Sequence, residues 1–200
     1  YGLEDKSIYI YVLLLWVAVY FYPRPVDLIF IVAIGYASQL AYKRKLDKKM
    51  ILPLLYPTAS FVFLISLYSE FGVMVLFWLL IIVAATDTGA YFAGKTFGRT
   101  PFCETSPNKT LEGVVGGMVF AVIMGIFTSI NEVGILGAII VSAIVSLSSV
   151  FGDLYESYLK REAGVKDSGN ILPGHGGVLD RVDGYLFGAI VMLVLLRIII

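Results

Sequence analysis

The sequence predicts an all-α, polytopic membrane bundle of about seven transmembrane helices, and three observations carry that prediction. Of the 200 residues, 58% are hydrophobic and 15% charged, with a mean hydropathy of +0.87, whereas about a quarter of a soluble domain is charged. The apolar residues gather into segments close to the roughly 20 residues that a helix needs to cross a bilayer. The basic residues fall between those segments in an alternating pattern.

Seven apolar segments follow in order, at about 8–22, 26–42, 51–69, 72–93, 113–130, 133–158 and 183–200. Each is expected to be a helix, because unpaired backbone in lipid is too costly and the segments are too long and continuous for barrel strands. The first is short, and only "SEFG" at 69–72 separates the third from the fourth. No internal repeat, low-complexity tract or soluble linker interrupts the chain, so residues 1–200 read as a single membrane domain. Spans one to three over 1–70 are its N-terminal helices, and 71–200 holds the chemistry-bearing helices and loops. The chain opens on Tyr1 without a signal peptide, so further N-terminal helices are expected to precede it. The lone Cys103 excludes an internal disulfide and carries no metal motif.

Orientation follows from the basic residues, since short loops rich in Lys and Arg stay in the cytoplasm. Lys43, Arg44, Lys45, Lys48 and Lys49 lie between spans two and three, Lys95, Arg99 and Lys109 between four and five, and Lys160, Arg161, Lys166 and Arg181 between six and seven. These three alternate loops are therefore cytoplasmic, with the first residue inside and the last outside. Asp87, Glu104, Glu112, Asp153, Glu156, Glu162, Asp167, Asp180 and Asp183 crowd the same ends of spans four to seven. Charges of both signs meet at one interface.

Within "SSVFGDLYESYLKR" at 148–161, Asp153, Glu156, Ser157, Lys160 and Arg161 lie three and four residues apart, hence on one helix face. That face cannot look at lipid, where a charge costs at least about 2.5 to 3.5 kcal/mol. For Glu156 with Lys160, a simple i, i+4 ion pair remains an equal reading. In "VLDRVDGYLFGAI" at 178–190, Asp180 and Asp183 enter span seven on one side. Capping the helix accounts for one aspartate, not for two plus Asp153. Three carboxylates near one interface make an oxygen-only site suited to a hard cation, most simply Mg²⁺ completed by water and phosphate. A second cation is left open.

Between these helix ends, Gly164, Gly169, Gly174, Gly176 and Gly177 allow tight turns, and successive free N–H groups can cradle an anion. Lys160, Arg161, Lys166 and Arg181 add the positive charge that phosphate oxygens need. His175, set between glycines, is either a plain hydrogen-bonding residue or a phosphate or nucleotide contact. Upstream, Asp87 interrupts an apolar run and is a functional candidate by default. Lys95, Arg99, Ser106, Asn108, Lys109 and Thr110 form a second phosphate-friendly set, Glu112 opens the next helix, and Asp167 is a further acidic candidate. Within that set the plainer reading, an ordinary positive-inside charge, is kept for Lys95 and Arg99.

The stretch "SYLKREAGVKDSGNILPGHGGVLDRVD", Ser157 to Asp183, resembles the signature of the phosphatidate cytidylyltransferases, or CDP-diacylglycerol synthases. Its pattern is S-x-x-K-R, four residues, K-D, then a G-H-G-G-x-x-D-R-x-D ending. "DTGAYFAGKTFGR" and "SPNKTLEG" resemble that family's upstream loop, and "FGDLYES" the approach to the signature, so the likeness covers about residues 84–190. The resemblance implies a Mg²⁺-dependent transfer of CMP from CTP to phosphatidate, in a multi-pass protein of the bacterial inner-membrane type with its site facing the cytoplasm. It implies metal-binding roles for Asp153 and Asp180, with Asp183 beside them. Catalytic and phosphate-contact roles are implied for Lys160 and Arg161, and phosphate or nucleotide contacts for Ser106, Lys109, Lys166, His175 and Arg181. CTP and phosphatidate are the expected partners, without nucleic acid, and small-residue helix faces are compatible with a homodimer.

Two rivals differ in class. A transporter would place its site at mid-bilayer and show internal repeats, neither of which is visible here. A CTP-dependent polyprenol or dolichol kinase would need a base near a lipid hydroxyl, a role that Asp87 or Glu112 can serve.

Overall fold

The computed structural model describes residues 6–44, 51–171 and 176–200. The helices are α1 (Ser7–Phe21), α2 (Pro25–Tyr42), α3 (Ser60–Phe71), α4 (Val73–Phe97), α5 (Leu111–Thr128), α6 (Gly134–Glu162) and α7 (Leu179–Ile199). Two short antiparallel strands, β1 (Pro101–Cys103) and β2 (Ser106–Thr110), form a hairpin between α4 and α5 where the sequence suggested only a loop. Among the described residues six helical stretches are long and apolar enough to cross a membrane, and α1 is an apolar helix of 15 residues. Phe127 is 81% exposed and Ile135 72%. Large apolar side chains exposed in such numbers along the helices suit lipid rather than water. This is a multi-pass membrane protein.

The third predicted span is broken. Between Leu54 and Ala59 the helix is interrupted at Tyr56, whose φ of −140° and ψ of 122° are extended. Pro57 explains this, because it lacks an N–H and disfavours helical geometry in the residue before it. Thr58 Oγ1 donates to the Pro53 carbonyl at 2.8 Å and so satisfies a backbone group near the break.

The chain falls into two compact units, Tyr1–Ser66 and Leu67–Ile200. In the first, α1 packs on α2 through the Tyr11 and Tyr36 rings, with centroids 5.3 Å apart, and Gln39 Nε2 donates to Ser7 Oγ at 3.0 Å.

In the second unit, α4 to α7 run up and down, with α4 packed most closely on α5 and α6 on α7. Small residues set those distances. A Cβ on Gly117 would stand 2.6 Å from the Thr86 carbonyl, and one on Gly152 the same distance from the Asp183 carbonyl. Trp78, Leu79, Ile82, Val145, Leu186 and Met192 fill the core. A buried polar link joins α4 to α6, where Thr86 Oγ1 lies 2.8 Å from Ser146 Oγ. This topology brings the α4–α5 hairpin and the α6–α7 loop to the same end of the unit.

Candidate active site

The helices that deliver the charged residues extend beyond their apolar segments. α4 continues to Phe97, so Asp87 sits ten residues, about 15 Å, inside its end. α6 continues to Glu162 and carries Asp153, Glu156, Ser157, Lys160 and Arg161 on helix. It closes with Gly164 at φ 70° while Val165 N donates to the Lys160 carbonyl at 2.9 Å, a glycine-dependent end that turns the chain back toward α7. α7 starts at Leu179, which puts Asp180 and Asp183 in its first turns.

Two clusters result. In the first, the hairpin brings Lys109 across to α6, where its Nζ lies 2.5 Å from Asp153 Oδ2. The hairpin itself is held in three ways. Glu112 accepts from Arg99 N at 3.1 Å, Thr100 N at 3.2 Å and Thr100 Oγ1 at 2.8 Å. Thr110 caps α5 by accepting from Gly113 N at 3.2 Å. Phe102 rests against Phe151 of α6 with ring centroids 6.2 Å apart. Beneath the hairpin lies a cavity of about 400 Å³ lined by Asp87, Tyr91 and Lys95 of α4, by Asn108, Lys109 and Thr110, and by Val150 and Asp153 of α6.

The second cluster joins α6 to α7. Lys160 Nζ lies 3.1 Å from Glu156 Oε2 and 2.7 Å from Asp180 Oδ1. Asp180 Oδ2 accepts from Gly177 N at 2.7 Å and from Ser168 N and Oγ, each at 2.9 Å. Two backbone N–H groups of the glycine-rich loop thus face the chain's own carboxylate. Gly176 permits this with a φ of 79°, and a Cβ there would stand 2.7 Å from Asp180 Oδ2. Asp183 Oδ1 accepts from Gly184 N at 2.8 Å and its carboxyl neighbours that of Glu156. Glu156 is 1% exposed, and its Oε1 is buried without a donor. Asp183 also lies within electrostatic range of Asp153, and both lie within range of Asp87, so the clusters adjoin.

The predicted residues are distributed accordingly. Asp87, Lys109 and Asp153 share the cavity, and Lys160, Asp180 and Asp183 form the second cluster. Arg161, Lys166, Asp167 and Arg181 are exposed around it, and Ser106 is half-buried at the start of β2. His175 lies outside the described residues. Glu112 is at the hairpin's base, with its carboxylate on three donors. The i, i+4 pair of Glu156 and Lys160 forms, but in a buried setting that the spacing did not reveal. Tyr91, which carries no motif of its own, and Lys95, which reads in the chain as a positive-inside charge, also line the cavity. The available signal was their helical spacing from Asp87 at i+4 and i+8.

The donor set is chemically suited to a hard cation: all oxygen, with the orphaned Glu156 Oε1 beside Asp183. Among the described residues no three carboxylates, histidines or cysteines converge as a ready metal cage. Lysine ammonium groups stand on Asp153 and Asp180 instead.

Comparison with known proteins identifies the family of the chain. A family model described as the cytidylyltransferase family matches residues 5–199. The chain is 51% identical over 192 residues to a phosphatidate cytidylyltransferase of Helicobacter pylori strain J99, covering 95% of this chain and 72% of that protein. It is 45% identical over 122 residues to that of Bacillus subtilis, covering 59% of this chain and 45% of that protein. It is 39% identical over 155 residues to that of Thermotoga maritima, covering 73% of this chain and 57% of that protein. With a match along nearly its whole length, the chain belongs to the cytidylyltransferase family and is a membrane nucleotidyltransferase.

Proposed function

We propose that this chain transfers the cytidylyl group of CTP to phosphatidate, releasing pyrophosphate and forming CDP-diacylglycerol, at the cytoplasmic face of a bacterial inner membrane. The observation that carries the reading is the meeting of the two clusters, Lys109 with Asp153 and Lys160 with Glu156 and Asp180, at one end of an apolar bundle. A lipid phosphate reaches such a place laterally and a nucleotide reaches it from water. The basic loops gathered at that end favour the cytoplasmic side.

Phosphatidate brings its own nucleophile, so no Ser, Cys or His nucleophile is needed. One of its phosphate oxygens attacks the α-phosphorus of CTP, the bond from that phosphorus to the α–β bridging oxygen breaks, and the electron pair leaves with pyrophosphate. The obstacle is the meeting of two polyanions, and the protein answers it by positioning and charge. Lys109 and Lys160 stand nearest the carboxylates and receive phosphate oxygens, exchanging one anionic partner for another. Arg161, Lys166 and Arg181, with Ser106 and His175, surround them as further phosphate or nucleotide contacts. Asp153, Asp180 and Asp183 would hold Mg²⁺, which when bound neutralises triphosphate charge.

The test is a transfer assay in mixed micelles with Mg²⁺, phosphatidate and CTP labelled on its α-phosphate. Label entering the lipid fraction with release of pyrophosphate is expected. Release of CDP with the γ-phosphate on a lipid alcohol would overturn the reading.

A further inference from the structure

The wall that α4 contributes to the cavity carries Asp87, Tyr91 and Lys95 one turn apart in succession. Tyr91 is 61% exposed, Lys95 is exposed, and the Lys95 ammonium stands 5.7 Å from the centre of the Tyr91 ring. That is the geometry of a cation held over an aromatic face. The two lysines that reach into the clusters, Lys109 and Lys160, stand on carboxylates. Among the described residues no carboxylate pairs with Lys95. The cavity therefore has one ammonium that is oriented but not neutralised.

Its position separates it from the carboxylates. Lys95 lies eight residues beyond Asp87, about 12 Å along the helix axis toward the end where the hairpin begins. Across the cavity, Asn108 and Thr110 of β2 offer neutral polar groups. An anion entering from the polar end meets Lys95 before it meets Asp87.

We propose that Lys95 is a further phosphate-binding residue of this site and that Tyr91 is the positioning residue that holds its ammonium in place. The inference rests on the cytidylyltransferase reading and adds to it a residue that the signature does not contain. The phosphate is that of the nucleotide or of the lipid. In the ligand-free protein Lys95 also suits the last turn of α4, where positive charge complements the carbonyl end of the helix. A role confined to that would leave substrate affinity unchanged.

The experiment measures the KM for CTP at fixed phosphatidate and the KM for phosphatidate at fixed CTP. It also measures equilibrium binding of CTP, and of phosphatidate in neutral micelles, to the detergent-purified protein. Lys95→Ala and Lys95→Gln should raise one KM and weaken the matching binding by about ten- to a hundred-fold, the range for a hydrogen bond to a charged group, with kcat changed far less. Lys95→Arg should retain most of the affinity. Tyr91→Leu should weaken binding by about two- to five-fold, as expected for an exposed cation–π pair, and Tyr91→Phe should not. A rise confined to CTP assigns Lys95 to the triphosphate, and one confined to phosphatidate assigns it to the lipid phosphate. Lys95 variants that match Lys43→Gln, a basic-loop control, in every KM and binding constant would overturn the inference. A wild-type protein that binds CTP without transferring it would refute the cytidylyltransferase reading, while the binding arm still decides Lys95. Binding of neither substrate by the wild-type protein would overturn both.

Discussion

At one end of the Leu67–Ile200 unit, Glu70 and Arg197 form a two-pronged ion pair, with Arg197 Nε 2.8 Å from Glu70 Oε2 and Nη2 2.5 Å from Oε1. At the other end, Asp87, Asp153, Glu156, Asp180 and Asp183 share too few cations, and one buried carboxylate oxygen has no donor at all. Both ends solve the problem of charge beside a membrane. The first does so by matching Arg197 to Glu70 on two oxygens. The second leaves carboxylates crowded together and Lys160 shared between two of them, an arrangement that costs stability and that the proposed function would explain, since a polyanion would be received there. An arginine at the end opposite the basic loops also goes against the positive-inside pattern, and its carboxylate partner accounts for that.

The contrast can be broken at several points, the largest effect coming from the carboxylates. Asp153→Asn and Asp183→Asn should each lower turnover by at least about a hundred-fold, the scale for removing a well-placed electrostatic group, while size-exclusion profile and helix content stay unchanged. Retained activity in either variant would remove that carboxylate from the reaction. Lys160→Met should follow, losing activity and also about 3 kcal/mol of stability, because Glu156 is left buried, and Asp180 half-buried, without their cation. Thermal unfolding in detergent reads this directly. An unchanged midpoint would mean that the second cluster does not depend on the lysine.

Glu112→Ala frees the base of the hairpin that carries Lys109 to Asp153. The expected result is a KM for CTP raised about ten-fold, as for one lost charged hydrogen bond, and partial rescue by Glu112→Gln, which keeps an acceptor. The smallest effect belongs to the closed end. Glu70→Gln should leave turnover unchanged and cost about 1 kcal/mol or less, since the pair is partly exposed. A loss of turnover on breaking this distant pair would show that the two ends are coupled, and the contrast drawn here would fail.

Much of this architecture was legible in the chain. The apolar segments are helical among the described residues, because lipid leaves the backbone no alternative, and the two basic connections of the Leu67–Ile200 unit lie at one end of it. The signature segment showed which residues belong together. Less legible was how far the helices extend. α4 runs past its apolar stretch to Phe97, which turns Asp87 from a residue near the end of its span into one ten residues inside the helix, on the cavity wall. The break at Tyr56 was present in the chain as Pro57, but hydropathy averages over a single proline.

What the sequence determined by itself is the class of the protein, the helices, the end at which the charges collect and the family signature, all of which follow from composition and from residues near one another in the chain. The tertiary structure alone decided the pairings. Lys109 meets Asp153 across 44 positions, Lys160 meets Asp180 across 20, and Glu156 loses its water only because α7 closes over α6. Burial and charge pairing depend on which helix faces come together, and that is set by small residues such as Gly117 and Gly152, where one added carbon would strike a neighbouring backbone. Lys95 shows the difference most plainly. In the chain it is one more loop lysine, and in the fold it is an ammonium on the cavity wall with no carboxylate partner among the described residues.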